Sequence, residues 1–337
     1  MKTITIFTAG ILTGGAIIAA IAFKSSPVSI DGLSFASTTT LSDTGDLRKI
    51  EEATSSGDAT SSGSAPGTEN PARAWDYRWH PPQLPAAIDF AGEEVPLDRW
   101  EVRERLDREL LVNSYLHGST LHILKLANRV FPVLEKKLKE NGIPDDFKYL
   151  CVAESALRNQ RSSAGALGYW QFLNSTGKEH GLEITNQVDE RYDLEKSTDA
   201  ACKYLKNAYA RFGSWTAAAA SYNCGMGGYS RFSSHQGSRN YYDLLLPEET
   251  NRYIFRILAL KYILENPERS GFIASETDVY QPIPTREVKV SQTISSLVDF
   301  AESEGTSYKI LKILNPWLRA HSLTVRPGTT YTVRVPE

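Results

Sequence analysis

The region between residues 100 and 265 combines helical spacing of apolar residues with the absence of an alternating strand pattern. Apolar side chains at three- and four-residue intervals line one face of a helix, whereas a half-buried strand alternates every second residue. Gly213 and Pro267 stand where two of these helices should end. The apolar positions include Leu121, Leu124, Ala127 and Val130, then Ala201, Leu205 and Ala208, and then Ile254, Ile257 and Leu258. The sequence therefore predicts a mainly α fold whose loops carry the polar residues of a cleft.

The first 26 residues have the pattern of an export segment. Met1 and Lys2 precede an uncharged apolar stretch at residues 3–23, which is the order found in secretory signals. The stretch approaches the roughly 20 residues that span a bilayer, and Ala20-Ile21-Ala22 provides a small-residue cleavage pattern. Residues 1–26 are therefore predicted to be a signal peptide or an N-terminal membrane anchor, and the chain is expected to leave the cytoplasm.

The composition changes sharply at residues 27–74. This stretch is rich in Ser, Thr, Gly and Asp, and such residues cannot bury enough surface to offset the entropy of an ordered chain. Aromatic and proline residues return from Trp75 onward. We therefore expect a disordered linker at 27–74 and a folded domain at 75–270.

Charge and cysteine content exclude several classes of function. The chain has 37 Lys and Arg against 40 Asp and Glu, a net charge of -3, so bulk charge gives no support for nucleic-acid binding. Cys151, Cys202 and Cys224 have no metal-binding spacing, and His180 and His235 are expected to face solvent in loops. The cysteines are interpreted as buried small residues, one pair of which could oxidise in an exported protein. No metal or cofactor is implied.

Glu154 is the candidate acid. Asp145 and Asp146 follow Pro144 and signal a helix start, which places Glu154 at the end of a short helix, before a loop rich in Ser, Gly and Ala. The negative end of the helix dipole and apolar neighbours both disfavour ionisation of a carboxyl, and a retained proton is what a general acid requires. Taken alone, the Ala-Glu-Ser triplet favours a solvated surface residue, because most glutamates are exposed.

Four short segments carry polar and aromatic residues in a distinctive order. They are Ala153-Glu154-Ser155, residues 162–171, residues 220–225 and residues 249–253. This order resembles the lytic transglycosylases with a goose-lysozyme-like catalytic domain, most closely the membrane-bound murein transglycosylase D type. The resemblance implies a lysozyme-like α-helical catalytic domain, a substrate of peptidoglycan glycan strands, and a location on the periplasmic side of the cell envelope.

The resemblance also implies roles for individual residues. Glu154 would be the single catalytic acid and base, and the substrate-binding residues would be Ser162, Gln171, Tyr222, Asn223 and Tyr253. The chain departs from the family pattern at Ser221 and at Cys224, where a thiol beside the cleft introduces redox sensitivity. Each binding residue has a structural alternative: the tyrosines could be core aromatics, and Asn223 could be a helix cap.

The predicted mechanism depends on a missing carboxylate. A paired-carboxylate glycosidase needs a second Asp or Glu across the bond, and residues 155–178 contain none. Asp189, Glu190 and Asp193 are interpreted as solvated loop charges. The resemblance then implies cleavage of the MurNAc-GlcNAc β-1,4 bond with 1,6-anhydromuramic ends. The alternatives are a hydrolytic lysozyme-type muramidase that uses a distal carboxylate and a non-catalytic wall-binding protein.

The C-terminal residues 283–337 form a separate pattern. A strand at residues 287–290, two short helices and a strand at residues 330–335 predict a small β-α-α-β module. It resembles a LysM module, a glycan-binding unit, but departs from that family at Ser291-Gln292-Thr293. Glycan binding and a purely structural cap are therefore both open.

Overall fold

A computed structural model describes residues 81–337. The predicted export segment at 1–26, the predicted linker at 27–74 and residues 75–80 of the predicted domain lie outside the described residues. The described part contains ten α-helices and two two-stranded sheets. The predicted fold class, mainly α with a small C-terminal β-α-α-β module, is confirmed.

A short hairpin precedes the helices of the larger domain. Its antiparallel strands, β1 (Asp89–Phe90) and β2 (Glu93–Glu94), are joined through Ala91 and Gly92, both of which have positive φ. Eight helices follow: α1 (Trp100–Tyr115), α2 (His117–Glu140), α3 (Phe147–Ser155), α4 (Asn174–Glu179), α5 (Leu194–Phe212), α6 (Trp215–Cys224), α7 (Met226–Gln236) and α8 (Glu248–Glu265).

Helix α8 is the central packing element of this domain. It packs against α1, α3 and α6, and Ile254, Ile257 and Leu258 on its apolar stripe are fully buried. The stripe and the end of α8 before Pro267 agree with the sequence prediction, as does the end of α5, where Gly213 adopts the left-handed conformation.

Helix α3 is short and buried around its circumference. Eight of its nine residues are buried, and its neighbours are α2 and α8. Helices that are apolar all round lie inside a core rather than on a surface. A carboxylate on such a helix is therefore removed from bulk water.

The structure adds elements that the sequence did not predict. The helical stretch from residue 100 is divided at Leu116, whose φ of -80° and ψ of 50° end α1 before α2 begins. Helix α7 also lacked a signal, because Gly227 and Gly228 lie within it and glycine disfavours helix interiors. The hairpin and α4 were missed because both are short.

The C-terminal module pairs its first and last strands. β3 (Thr285–Val290) and β4 (Tyr331–Pro336) are antiparallel over six residue pairs, and α9 (Leu297–Ser303) and α10 (Tyr308–Leu314) lie between them in sequence. Before α9 begins, Ile294 forms an isolated bridge with Leu323.

The three cysteines are free thiols. Cys151 and Cys202 are fully buried, as predicted, whereas Cys224 is half-buried. Burial raises the pKa of Cys224 to about 11, so this thiol is neutral near pH 7.

Residues 81–337 contain neither a membrane-spanning helix nor a metal-binding cluster. None of the helices there is long and apolar enough to cross a membrane. Within the same residues, no group of three or more His, Cys, Asp or Glu could hold a metal ion.

Candidate active site

Glu154 lies in the last turn of α3, directly before a sharp change in backbone direction. The helix ends at Ser155, and the next two residues, Ala156 and Leu157, have φ angles of 52° and 56°. Left-handed backbone is uncommon for residues with a Cβ, and here it ends the helix beside the carboxylate. The predicted position of Glu154 at a helix C-terminus is confirmed.

Helix α8 places Tyr253 against this carboxylate. The Tyr253 hydroxyl donates a hydrogen bond to Oε1 of Glu154. Both side chains are buried, with exposed fractions of 2% for Tyr253 and 3% for Glu154. A hydrogen bond in such a site fixes the orientation of the carboxylate and stabilises its charged form.

Burial raises the pKa of Glu154 to about 7. Two groups oppose this effect, because the Tyr253 hydrogen bond and the charge of Arg256 both lower the pKa, whereas Glu249 raises it. A carboxyl with this pKa is about half protonated near neutral pH, so it can both donate and accept a proton. The direction predicted from the sequence is confirmed, with burial as its largest cause.

A set of charged residues on α1 and α8 surrounds this pair. Arg256 lies one helical turn beyond Tyr253, and its Nη1 is 3.1 Å from Oε1 of Glu249. Its Nε is 3.9 Å from Oε2 of the buried Glu109, whose Oε1 lies 2.6 Å from Nε of Arg252. Arg256 was not among the residues predicted from the sequence, although its spacing of three from Tyr253 places both on one helix face.

The loop at residues 159–172 is fixed to the end of α3. Gln160 Nε2 donates to the Ser155 carbonyl at 3.2 Å. Gln171 Nε2 donates to the carbonyls of Gln160, at 3.1 Å, and Gly168, at 2.7 Å. Gln171 is buried and has a φ of 50°, so its amide supports the loop from inside. The role of Gln160 had no signal in the sequence.

Gly168 lies where this loop meets the chain before α5. It has a φ of 83°, and a Cβ at this position would lie 1.8 Å from the carbonyl oxygen of Arg191. Asn159 Nδ2 donates to the Tyr192 carbonyl at 2.7 Å. Only a glycine fits this close backbone approach.

Ser162 closes a tight turn within the loop. Its Oγ accepts a hydrogen bond from the Ala166 amide at 3.0 Å, and its carbonyl accepts one from the Gly165 amide at 3.1 Å. The hydroxyl proton can still donate to a ligand. Contact of Ser162 with a sugar stays a prediction.

Helix α6 carries Tyr222 and Asn223. The Tyr222 hydroxyl donates to the Trp170 carbonyl at 2.9 Å, as expected for a satisfied core aromatic. Asn223 Oδ1 accepts from the Thr250 hydroxyl at 2.8 Å, whereas its buried Nδ2 has no hydrogen-bond partner within residues 81–337. Asn223 lies inside α6 and is not a cap, and its amide is therefore a donor available to a ligand.

Two of the predicted residues, Tyr222 and Tyr253, lie close enough to Glu154 to interact with it electrostatically. The charge of Glu154 raises the pKa values of Tyr222 and Tyr253, after burial, which is the larger cause for both. Gln171 supports the adjoining loop, and Asn223 is joined to the first turn of α8 through Thr250. Thr250 lies in the motif at residues 249–253, but nothing in the sequence indicated its role.

Two predicted solvated charges are buried instead. Asp189 is 6% exposed, and its Oδ2 lies 2.7 Å from Nη2 of Arg191. Glu190 is 7% exposed and pairs with Lys196. Asp193 caps α5 by accepting from the Lys196 amide at 2.9 Å. The prediction was wrong for Asp189 and Glu190 because their ionic partners compensate the cost of burial.

The prediction for His180 was also wrong. His180 is 6% exposed, and its Nδ1 is 2.9 Å from the Thr176 carbonyl. Its ring stacks on Phe172 with centroids 6.3 Å apart. His235 is exposed, as predicted, although it lies in α7 rather than in a loop.

Comparison with protein families gives two matches. Residues 131–245 match the transglycosylase SLT domain, a range that includes Glu154, Ser162, Gln171, Tyr222 and Asn223. Residues 286–337 match the soluble lytic transglycosylase C-terminal LysM-like domain. The central and C-terminal parts of the chain are therefore similar to two domains of lytic transglycosylases. Tyr253 lies beyond the matched range of the SLT domain, and α8 brings it back to Glu154.

Two curated proteins are similar to this chain over much of its length. Two proteins named membrane-bound lytic murein transglycosylase D, from Escherichia coli strain K12 and Escherichia coli O6:H1, are each 29% identical to it over 243 residues. The aligned region covers 69% of this chain and 52% of each relative. The chain thus spans about half the length of the curated relatives it matches.

Proposed function

We propose that this protein is an exported lytic murein transglycosylase that cleaves the β-1,4 bond between MurNAc and GlcNAc in peptidoglycan. The observation that carries the proposal is the buried Glu154, whose pKa of about 7 suits both halves of an acid-base cycle. The SLT and LysM-like domain matches support the same substrate.

In the first half of the reaction, protonated Glu154 donates its proton to the glycosidic oxygen. The bond to the anomeric carbon breaks, GlcNAc leaves with the proton, and the acetamido group of MurNAc stabilises the positive charge. In the second half, the Glu154 carboxylate removes the proton of the C6 hydroxyl, whose oxygen bonds to the anomeric carbon. The product is a 1,6-anhydromuramic end, no water is consumed, and Glu154 is again protonated.

Tyr253 is proposed to hold the carboxylate through both halves. Its hydroxyl contacts Oε1 of Glu154, so it stabilises the ionised form that exists after the first proton transfer. The Asn223 Nδ2, which lacks a hydrogen-bond partner among the described residues, is proposed to donate to a sugar oxygen. Ser162, Gln171 and Tyr222 are proposed to shape the sugar site.

The carboxylates around the site favour this mechanism over hydrolysis. Asp189 forms a buried ion pair with Arg191, Glu190 pairs with Lys196, and Asp193 caps a helix. Glu249, the acidic residue that acts on Glu154 electrostatically, is paired with Arg256. A hydrolytic muramidase would need one of these groups to leave its partner and activate a water.

The remaining regions have proposed roles in the envelope. Residues 1–26 would direct export and either be removed or anchor the chain, and residues 27–74 would act as a tether for the catalytic domain at 75–270. The module at 283–337 would bind glycan. Retention of the full-length Glu154→Gln protein on insoluble peptidoglycan tests the last point, and exchange of the exposed Ser291 and Gln292 for Ala should weaken the retention.

Product analysis tests the proposed reaction. Purified peptidoglycan is incubated with the wild-type chain, with Glu154→Gln and with Glu249→Gln, and the soluble products are identified by mass spectrometry. We expect anhydro-ended muropeptides from the wild type and from Glu249→Gln, and none from Glu154→Gln. Reducing-end products that disappear in Glu249→Gln would identify a hydrolase, and the absence of products from all three would indicate a binding protein.

A further inference from the structure

Residues 183–195, here called the bridging segment, belong to the larger domain in sequence but reach the core of the C-terminal module. Val188 is 1% exposed and lies in the same apolar cluster as Leu297, Trp317 and Leu318. It also forms an isolated antiparallel bridge with Leu318. The module therefore completes its core with a side chain from the larger domain.

Backbone hydrogen bonds extend this contact on both sides of Val188. The Asp189 amide donates to the Trp317 carbonyl at 2.9 Å, and the Arg319 amide donates to the Gln187 carbonyl at 2.7 Å. The Gln187 side chain accepts from the Thr324 amide at 3.0 Å. Backbone pairing of this kind fixes the register of the two segments.

Charged and aromatic contacts border this interface. The Tyr331 hydroxyl on β4 donates to the Glu183 carboxylate, 3.0 Å from both of its oxygens. Arg334 Nη2 is 2.7 Å from Oε1 of Glu195. The Arg319 guanidinium lies 4.2 Å from the ring centre of Tyr192, a cation–π distance. Contacts are thus made at both ends of the bridging segment.

The opposite side of the bridging segment packs on the loop beside Glu154. The Arg191 carbonyl occupies the space where a Cβ of Gly168 would lie, and Arg191 Nη1 donates to the Phe172 carbonyl at 3.3 Å. Asn159 donates to the Tyr192 carbonyl. The loop that carries Ser162 and Gln171 therefore packs on one side of the bridging segment, and the module packs on its other side.

A second contact fixes the chain that leads into the module. The Tyr280 amide donates to the Lys125 carbonyl on α2 at 3.0 Å, and the Tyr280 ring lies 5.5 Å from Nζ of Lys125 and 5.4 Å from the Arg129 guanidinium. Arg129 Nε donates to the Gln281 carbonyl at 2.9 Å. The connection is thus held to the larger domain before β3 begins.

From these contacts we infer that the LysM-like module is a positioning element of the catalytic domain, acting through Val188 and Arg191 on the loop at residues 159–172. The inference rests on the proposed function of that loop. The module then also increases the rate at which soluble glycan strands are cleaved, for which binding of the protein to the wall is not needed.

The test uses the full chain with Val188→Asp and, as a matched control, Asn186→Asp. Asn186 is exposed, so the control introduces the same charge two residues away without entering the module core. The substrate is uncross-linked glycan strands in solution. We expect Val188→Asp to lower kcat/KM about tenfold or more relative to the wild type, since small misplacements of catalytic groups have effects of this size. The conservative variant Val188→Ile should keep a kcat/KM close to that of the wild type.

Hydrogen exchange supplies a readout that does not depend on activity. The amides of Leu167 and Phe172 are each bonded to the other residue's carbonyl at 3.1 Å. We expect both to exchange faster in Val188→Asp than in Asn186→Asp. If Val188→Asp does not fold, Val188→Ala and Gln187→Ala replace it. We expect these variants to lower kcat/KM and to speed exchange at Leu167 and Phe172, by smaller amounts than Val188→Asp would.

Wild-type kcat/KM and wild-type exchange at Leu167 and Phe172 in a folded Val188 variant would overturn the inference. Failure of the proposed function has a different signature, because the wild-type chain would then release no product from glycan strands. The exchange comparison would still report whether the module holds the loop.

Discussion

The hydroxyl of Tyr253 on α8 donates a hydrogen bond to the carboxylate of Glu154 at the end of α3. These residues are 99 positions apart in sequence, and both are buried. Burial and this hydrogen bond act on the pKa of Glu154 in opposite directions. Their balance gives Glu154 a pKa near neutral pH, so its carboxyl can both release and take up a proton.

Tyr253→Phe should move the pH dependence of activity. Removing the donor raises the pKa of Glu154 further above 7, by about one to two units if the bond contributes the roughly 1.5–3 kcal/mol typical of bonds to charged groups. The limb of the kcat/KM profile that reports Glu154 then moves to higher pH, and the rate falls. The control is Tyr229→Phe on α7, which removes a hydroxyl that donates to the Arg239 carbonyl. An unchanged limb in Tyr253→Phe contradicts this role.

Glu154→Gln should stabilise the protein at high pH. The pKa of Glu154 is raised from 4.5 to about 7 in the folded protein, so between these values the folded state binds more protons than the unfolded state. The free energy of unfolding therefore decreases as pH rises through this window, by about 3 kcal/mol in total. Chemical denaturation should show Glu154→Gln to be more stable than wild type at pH 8 and similar at pH 4. Equal differences at both pH values would show that the pKa of Glu154 is not raised in the folded protein.

Gly168→Ala should disturb the loop beside Glu154 more than Gly165→Ala. Both glycines have positive φ, 83° and 82°, so both substitutions introduce the same backbone strain, about 1 kcal/mol. Only Gly168→Ala adds a clash, because its Cβ would meet the Arg191 carbonyl, whereas a Cβ at Gly165 meets nothing within 4 Å. We expect lower activity and a lower unfolding temperature for Gly168→Ala than for Gly165→Ala. Equal effects would mean that the contact with Arg191 is not maintained.

The thiols should react slowly in the folded protein. Cys151 and Cys202 are buried, and burial raises the pKa of Cys202 to about 12 and that of Cys224 to about 11. With Ellman's reagent at pH 8, we expect only slow labelling of the half-buried Cys224, and three reactive thiols after unfolding. Rapid native labelling, or a disulfide found by mass spectrometry, would contradict this expectation.

Local signals in the sequence predicted the elements that position Glu154. Gly213 ends α5, and Pro267 follows the end of α8. The aspartates after Pro144 precede α3. This start signal, together with the short length of the helix, was enough to predict that Glu154 lies at the C-terminus of α3. These features depend on residues that are neighbours in the chain, and a single sequence contains that information.

Features that depend on tertiary packing were missed. Asp189 and Glu190 look like loop charges in the sequence, yet both are buried against ionic partners within the bridging segment or at the start of α5. The insertion of Val188 into the module core needs two parts of the chain more than 100 residues apart. No local pattern records such contacts.

The most direct test of the central claim is cleavage of peptidoglycan in water enriched in ¹⁸O, with Glu154→Gln as the inactive control. If Glu154 transfers protons while the C6 hydroxyl attacks, the wild-type products carry anhydro ends and no ¹⁸O. Products with reducing ends that contain one ¹⁸O atom would show that water is the nucleophile, and would contradict the account.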